Sequence, residues 1–168
     1  SPTKRLGSSA SRLSQIVDGD PVPTLVINAE HKVTHWNKAC AAVTGVPASE
    51  MLRTNRQWAP FYASERPILA DLIVSGALQE GLENHYKGKY RPSSLIEGAF
   101  EAEDFYPHFG SSGRWLYFTA APLKDATGRI VGAIETLQDV TERHKAEDAL
   151  RNYQAQLEDL VEKGTSQL

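Results

Sequence analysis

The chain has 168 residues, 40% of them hydrophobic, and a formal net charge of -3, which suffices for one domain with a real core plus an appendage and gives no basic field to hold nucleic acid. No apolar run reaches the ~20 residues of a membrane span. The one cysteine, Cys40, excludes an intrachain disulfide and an all-cysteine metal site and fits a reducing compartment, so a cytoplasmic location is expected.

Ser1 to Gly7 has no apolar signal-peptide centre, and residues 1–8 read as a disordered tail, a cloning remnant or a cut-point in a longer chain. Residues 9–20 read as a flanking helix: Ser8-Ser9-Ala10-Ser11 offers a cap, Leu13, Ile16 and Val17 share a face, and Asp18-Gly19-Asp20-Pro21 stops it. Residues 21–141 then form the core and 142–168 a connector helix. Val22 to Asn28 (VPTLVIN) is a strand, Ala29-Glu30-His31-Lys32 a turn and Lys32 to Trp36 a second strand. Asn37 stands where a helix N-cap is needed. On the helix it starts, Cys40 and Thr44 share a face, with Trp36 just before them.

Gly45 to Pro47 ends that helix, a short one opens at Ser49, and Asn55 to Tyr62 is irregular with three aromatic residues. Ser64-Glu65-Arg66-Pro67 begins the strongest internal helical pattern, with Ile68, Leu69, Leu72, Ile73 and Leu78 recurring until Gly76 and Gly81 weaken it. Residues 82–112 are less regular. Ala99 to Tyr106 reads as a short strand, and His85 to Arg91 (HYKGKYR), although basic and aromatic, reads as a solvated loop. Glu97, Glu101, Glu103 and Asp104 lie near His108, but the spacing matches no metal signature and a strand would split them between two faces, so no metal is expected.

Arg114 to Leu123 (RWLYFTAAPL) and Ile130 to Leu137 (IVGAIETL) flank the turn residues Asp125-Ala126-Thr127-Gly128 and form a hairpin. In the first run Leu116, Phe118 and Ala120 share one face; Trp115, Tyr117 and Thr119 share the other. After Asp139-Val140 the chain turns strongly helical. Ala146, Leu150, Tyr153, Leu157 and Leu160 are separated by 4, 3, 4 and 3 residues, the a/d spacing of a coiled coil, so these five are the expected dimer seam of a second copy. The alternative is an amphipathic helix folded back on its own sheet. His144 is followed by Lys145 and by no proline, and reads as a surface residue rather than a phosphoacceptor. No nucleophile elbow, phosphate loop or kinase catalytic motif occurs, so no catalytic residue is assigned and this stretch is not expected to be an enzyme by itself.

Asp139-Val140-Thr141-Glu142-Arg143 after such a hairpin resembles the Asp-Ile/Val-Thr-Glu-Arg ending of PAS sensor domains. Val33 to Asn37 running into Lys38–Gly45, the helix start at Ser49-Glu50-Met51-Leu52, and the turn Pro122-Leu123-Lys124-Asp125 with Gly128 resemble that family in the same order, over residues 10–143. The resemblance implies an α+β PAS fold: a five-stranded antiparallel sheet with helices on one face, an N-terminal flanking helix and a C-terminal coiled-coil helix. It turns Trp36, Cys40, Thr44, Leu116, Phe118 and Leu137 toward a central cavity, where they either bind a small ligand or fill core volume. It makes Asp139 and Thr141 the signal hinge. The cofactor is left unknown: a flavin photoadduct lacks its cysteine in Thr54-Asn55-Arg56-Gln57-Trp58, and haem lacks an axial ligand because His35 faces away if Trp36 faces in. The implied function is sensory input or dimerisation for an output domain beyond this stretch, a bacterial sensor histidine kinase. Rival implications are a ligand-free dimerisation scaffold and the input domain of a diguanylate cyclase or phosphodiesterase.

Overall fold

Aromatic and β-branched residues concentrate in two runs, and these build the longest strands, β5 (Arg114–Lys124) and β6 (Ile130–Asp139). They pair antiparallel, with Phe118 opposite Leu137 and Leu116 opposite Asp139. Asp125 organises their turn, its Oδ1 accepting from the backbone N–H of Thr127 at 2.9 Å and of Arg129 at 3.1 Å, while Gly128 takes a left-handed φ of 86°. Burial alternates as the pleat requires: Leu116, Phe118 and Ala120 are buried on β5, and Ala133, Glu135 and Leu137 on β6.

The computed structural model describes residues 2–166, with side chains from Ser9 to Thr165. Around the hairpin lie α1 (Pro2–Gly19), β1 (Thr24–Asn28), β2 (Val33–Trp36), α2 (Lys38–Thr44), α3 (Ala48–Met51), α4 (Leu69–Ser75), α5 (Leu78–Tyr86), β3 (Tyr90–Pro92), β4 (Phe100–Tyr106) and α6 (Thr141–Ser166). The sheet order is β2-β1-β6-β5-β4-β3, so the chain's first strand lies beside its last, and every neighbouring pair is antiparallel. Helix α4 packs on β5 and β6, and the apolar side chains between them form the core.

Asn37 is more than a cap. Fully buried, its Oδ1 accepts from the backbone N–H of both Cys40 and Thr24 at 2.9 Å, and its Nδ2 donates to the carbonyls of Val17, Asp20 and Val22. One amide thereby ties α1, the lead-in to β1 and the first turn of α2 together.

Four expectations need correction. The sheet has six strands rather than five, because Tyr90–Pro92 adds a three-residue edge opposite Phe100–Ala102. Within the segment expected as a solvated loop, His85 and Tyr86 close α5 and Tyr90 opens β3; Tyr86 is buried. The helix expected from Ser64 onward is two: Pro67 keeps its predecessor out of helical geometry, and Gly76, with φ 77°, ends α4 before α5 restarts at Leu78. Finally, where residues 1–8 were expected as a tail, α1 begins at Pro2, a position that tolerates proline because first-turn N–H groups have no intrahelical acceptor. Ser1, Gln167 and Leu168, placed in that tail and in the connector, lie outside the described residues.

Candidate functional site

At the junction of sheet and C-terminal helix, sequence and geometry meet most closely. Asp139 Oδ1 accepts from the Thr141 backbone N–H at 3.0 Å and from its hydroxyl at 2.5 Å, and the Thr141 oxygen accepts from the Trp115 N–H at 2.9 Å. Val140 N–H donates to the Trp115 carbonyl at 2.8 Å. Strand β5 therefore holds the first turn of α6 through one hydroxyl and one main-chain bond, and Asp139 fixes that hydroxyl.

A second set of contacts at this junction was missed in the sequence. His144, expected on the surface, stacks on Trp115 with ring centroids 3.9 Å apart and planes within 4°. Its Nε2 lies 2.7 Å from Glu103 Oε2, and the other oxygen of Glu103 pairs with Arg143. Burial opposes ionisation of Glu103, but the bonds from His144 and Arg143 outweigh it and hold its pKa below the usual carboxylate value. Glu101, on the same face, pairs instead with Arg91 and Tyr117. Of the carboxylates considered for a metal, Glu101 and Glu103 thus have protein partners, and Asp104 pairs with Lys89 at 2.7 Å.

Of the six cavity candidates, Trp36, Cys40, Leu116, Phe118 and Leu137 are buried in one core cluster, and Thr44 is half-buried. Trp36 donates its indole N–H to the Val46 carbonyl at 2.9 Å, and Thr44 donates its hydroxyl back to Cys40 O at 2.7 Å. Burial, with a smaller contribution from Glu135, pushes the Cys40 thiol up to about 12, so the sulfur is an inert filler at neutral pH. Phe118 meets Phe61 and Tyr106 at 5.4 and 5.6 Å between centroids.

The polar members of this core were not singled out in the sequence. Glu135 is 2% exposed, and its Oε1 accepts from the Ala70 N–H at 2.7 Å in the first turn of α4. Burial raises its pKa to about 8; the Ala70 bond opposes this, Asp71 adds to it and Arg66 opposes it. Tyr62 bonds Tyr106 at 2.9 Å and approaches Tyr86 at 3.4 Å, and burial raises the pKa of all three phenols. The signal for Glu135 was available. It shares a face with Leu137, and a strand position two residues from an inward leucine is itself inward.

A profile of the PAS fold matches residues 95–145, the stretch from the loop before β4 through the hairpin into α6. The chain folds as a PAS domain. The PAS domain of BvgS from Bordetella pertussis superposes with a TM-score of 0.52 at 18% identity, over 88% of this chain and 98% of that one. An RNA-binding light-oxygen-voltage receptor gives 0.57 at 19% identity over 87% of this chain and 37% of that one. A PAS domain from Colwellia psychrerythraea gives 0.50 at 13% identity over 79% and 98%. No curated protein matches the sequence. These likenesses establish the fold.

Beyond the junction, this PAS domain's α6 leaves the sheet instead of folding back on it. Ala146, Leu150, Tyr153, Leu157 and Leu160 are all exposed, so the apolar stripe has no cover among the described residues. Among the described residues no helix is long and apolar enough to cross a membrane.

Proposed function

We propose that this PAS domain is the sensory and dimerisation module of a cytoplasmic bacterial sensor histidine kinase. On this reading it performs no reaction itself and passes a change in its core or dimer contact through α6 to an output domain. The observation that carries the reading is the apolar stripe of α6, a 26-residue helix whose Leu150 and Tyr153 are 57% and 59% exposed. Apolar side chains at heptad spacing on an outward helix gain little stabilisation unless a second helix covers them. The occupant is a second copy of the chain with its helix parallel, since both helices must then continue into paired outputs.

Two junction features favour transmission. The hinge bonds join strand end and helix start, and Glu103 links β4 to the same turn, so a shift of the sheet must move the helix base. Light scattering tests the assembly: the wild-type chain is expected to be a dimer, and Leu150→Glu with Leu157→Glu a monomer, because like charge would be buried in the seam. A wild-type monomer at high micromolar concentration would refute the dimer.

The ligand-free scaffold is the second reading, favoured by the dense packing of five of the six cavity candidates into the core. Native mass spectrometry of the purified chain separates the two readings. A retained small molecule supports sensing, and an empty core supports the scaffold.

A further inference from the structure

Among the described residues, two buried side-chain atoms have no hydrogen-bond partner, Gln57 Oε1 and Arg66 Nη2, and both residues line one cleft of about 720 Å³. The walls are the β1–β2 turn, the 55–67 loop, α4 and α5; no strand residue contributes. The cleft therefore opens on the helical side of the fold, away from the strands, and Leu72 of α4 is shared between its wall and the core.

Gln57 is 1% exposed, and its orientation is fixed by its own bonds. Its Nε2 donates to the His31 carbonyl at 3.1 Å and to Asp71 Oδ1 at 2.9 Å. Both partners can only accept, so the amide cannot flip, and Oε1 is left wanting a donor. Asp71 is itself fixed, since it also bonds His31 Nδ1 at 2.8 Å and the Ile68 N–H at 3.0 Å. Arg66 is held by its rings: the guanidinium carbon lies 3.8 Å from the Tyr62 ring centre and 4.9 Å from that of Tyr86. Its Nε donates to the Pro67 carbonyl at 3.3 Å, leaving the Nη2 side of the fork unused. Glu30, Glu65 and Glu80 stand around the same cleft, so the surrounding field favours a cationic end and disfavours a net anion.

A ligand that satisfies the cleft must accept from a guanidinium, donate to an amide oxygen and carry no net negative charge. A simple amine leaves Arg66 unmade; a simple carboxylate leaves Gln57 unmade and faces the glutamates. We propose that this cleft binds a free α-amino acid, its carboxylate on Arg66 and its ammonium on Gln57 Oε1. This goes beyond the proposed signalling role. Binding is measured on the 168-residue chain whatever its oligomeric state, so neither result decides the other.

The test is calorimetric titration of that chain with the proteinogenic α-amino acids at millimolar concentration. Each binder is compared with its carboxamide, which lacks the carboxylate, and its N-acetyl derivative, which lacks the ammonium. At least one amino acid is expected to bind, with both derivatives weakened roughly tenfold or more, the scale of one hydrogen bond to a charged group. Arg66→Lys keeps the charge but loses the planar fork, and Gln57→Leu loses the acceptor; each should weaken binding by a similar factor. Circular dichroism checks that both variants fold, and if either does not, the derivatives on the native chain decide. Absence of any binding amino acid, an amide or N-acetyl derivative that binds as tightly as its parent, or unchanged affinity in folded Arg66→Lys would each overturn the proposal.

Discussion

Glu135→Gln should change how the stability of this domain depends on pH more than it changes stability at any one acid pH. The carboxyl ionises near its ordinary 4.5 when the chain is unfolded and near 8 in the fold, where burial penalises the charge. The folded state therefore holds a proton that the unfolded state releases between those values. A group raised in this way contributes stability that is fully present below about 4.5 and is lost as pH rises through about 8. At about 1.4 kcal/mol per pH unit the gap corresponds to roughly 5 kcal/mol, a large share of a small domain's total. Glutamine keeps an oxygen to accept from the Ala70 N–H and has no proton to lose. Urea denaturation of both proteins from pH 5 to 9 is the assay. The wild type should weaken progressively relative to Glu135→Gln, with the difference curve flattening above the folded pKa. Other titrating groups are common to both chains and cancel. Parallel stability curves across that range would mean that Glu135 does not carry a raised pKa in the fold.

Phe118→Ala should cost about 3–5 kcal/mol as a truncation inside the cluster with Phe61 and Tyr106, read from a denaturation midpoint with unchanged slope. Gly132→Ala should cost about 1–3 kcal/mol, because a Cβ there would overlap the Ile27 carbonyl oxygen, and main chain in a paired strand cannot swing aside; thermal melting reads it. Asp139→Ala should cost roughly 0.5–2 kcal/mol as a lost cap yet impair coupling more than a surface control such as Lys124→Ala, measured as signalling in a fusion to a kinase output. Unchanged signalling in the folded variant would reduce Asp139 to a cap.

The hairpin and its register were legible because alternation in Trp115 to Ala121 is long enough to choose a face, and Asp125 with Gly128 is turn chemistry of few meanings. Asn37 was legible as a cap, but its five bonds depend on where α1 passes, which no local pattern encodes. The split between α4 and α5 was hidden by an apolar period that continues across Gly76 to Leu78, since periodicity does not register a left-handed residue. β3 was hidden because three residues ending in proline carry no strand signal of their own; pairing with β4 creates the strand. The His144–Trp115 stack joins residues 29 positions apart, and charge patterning along a helix cannot find such a contact. Gln57 and Arg66 sat in a stretch read only for a missing cysteine and for a helix start, so their shared cleft emerged from tertiary placement alone.

The sheet's two margins bear on how crowded copies behave in solution. β3 offers only three residues, and Pro92 has no N–H to donate. At the opposite margin, Val33 of β2 is already engaged, its N–H by the Thr54 carbonyl and its carbonyl by the Arg53 N–H. A foreign strand arriving at either side would find few free groups in register, which protects the domain against templated stacking of the kind that seeds fibrils. That protection rests on the segment through residues 53–54, where Arg53 is held at φ 68°. Loosening that turn would therefore show first as aggregation on concentrating or storing the protein, before any loss of fold.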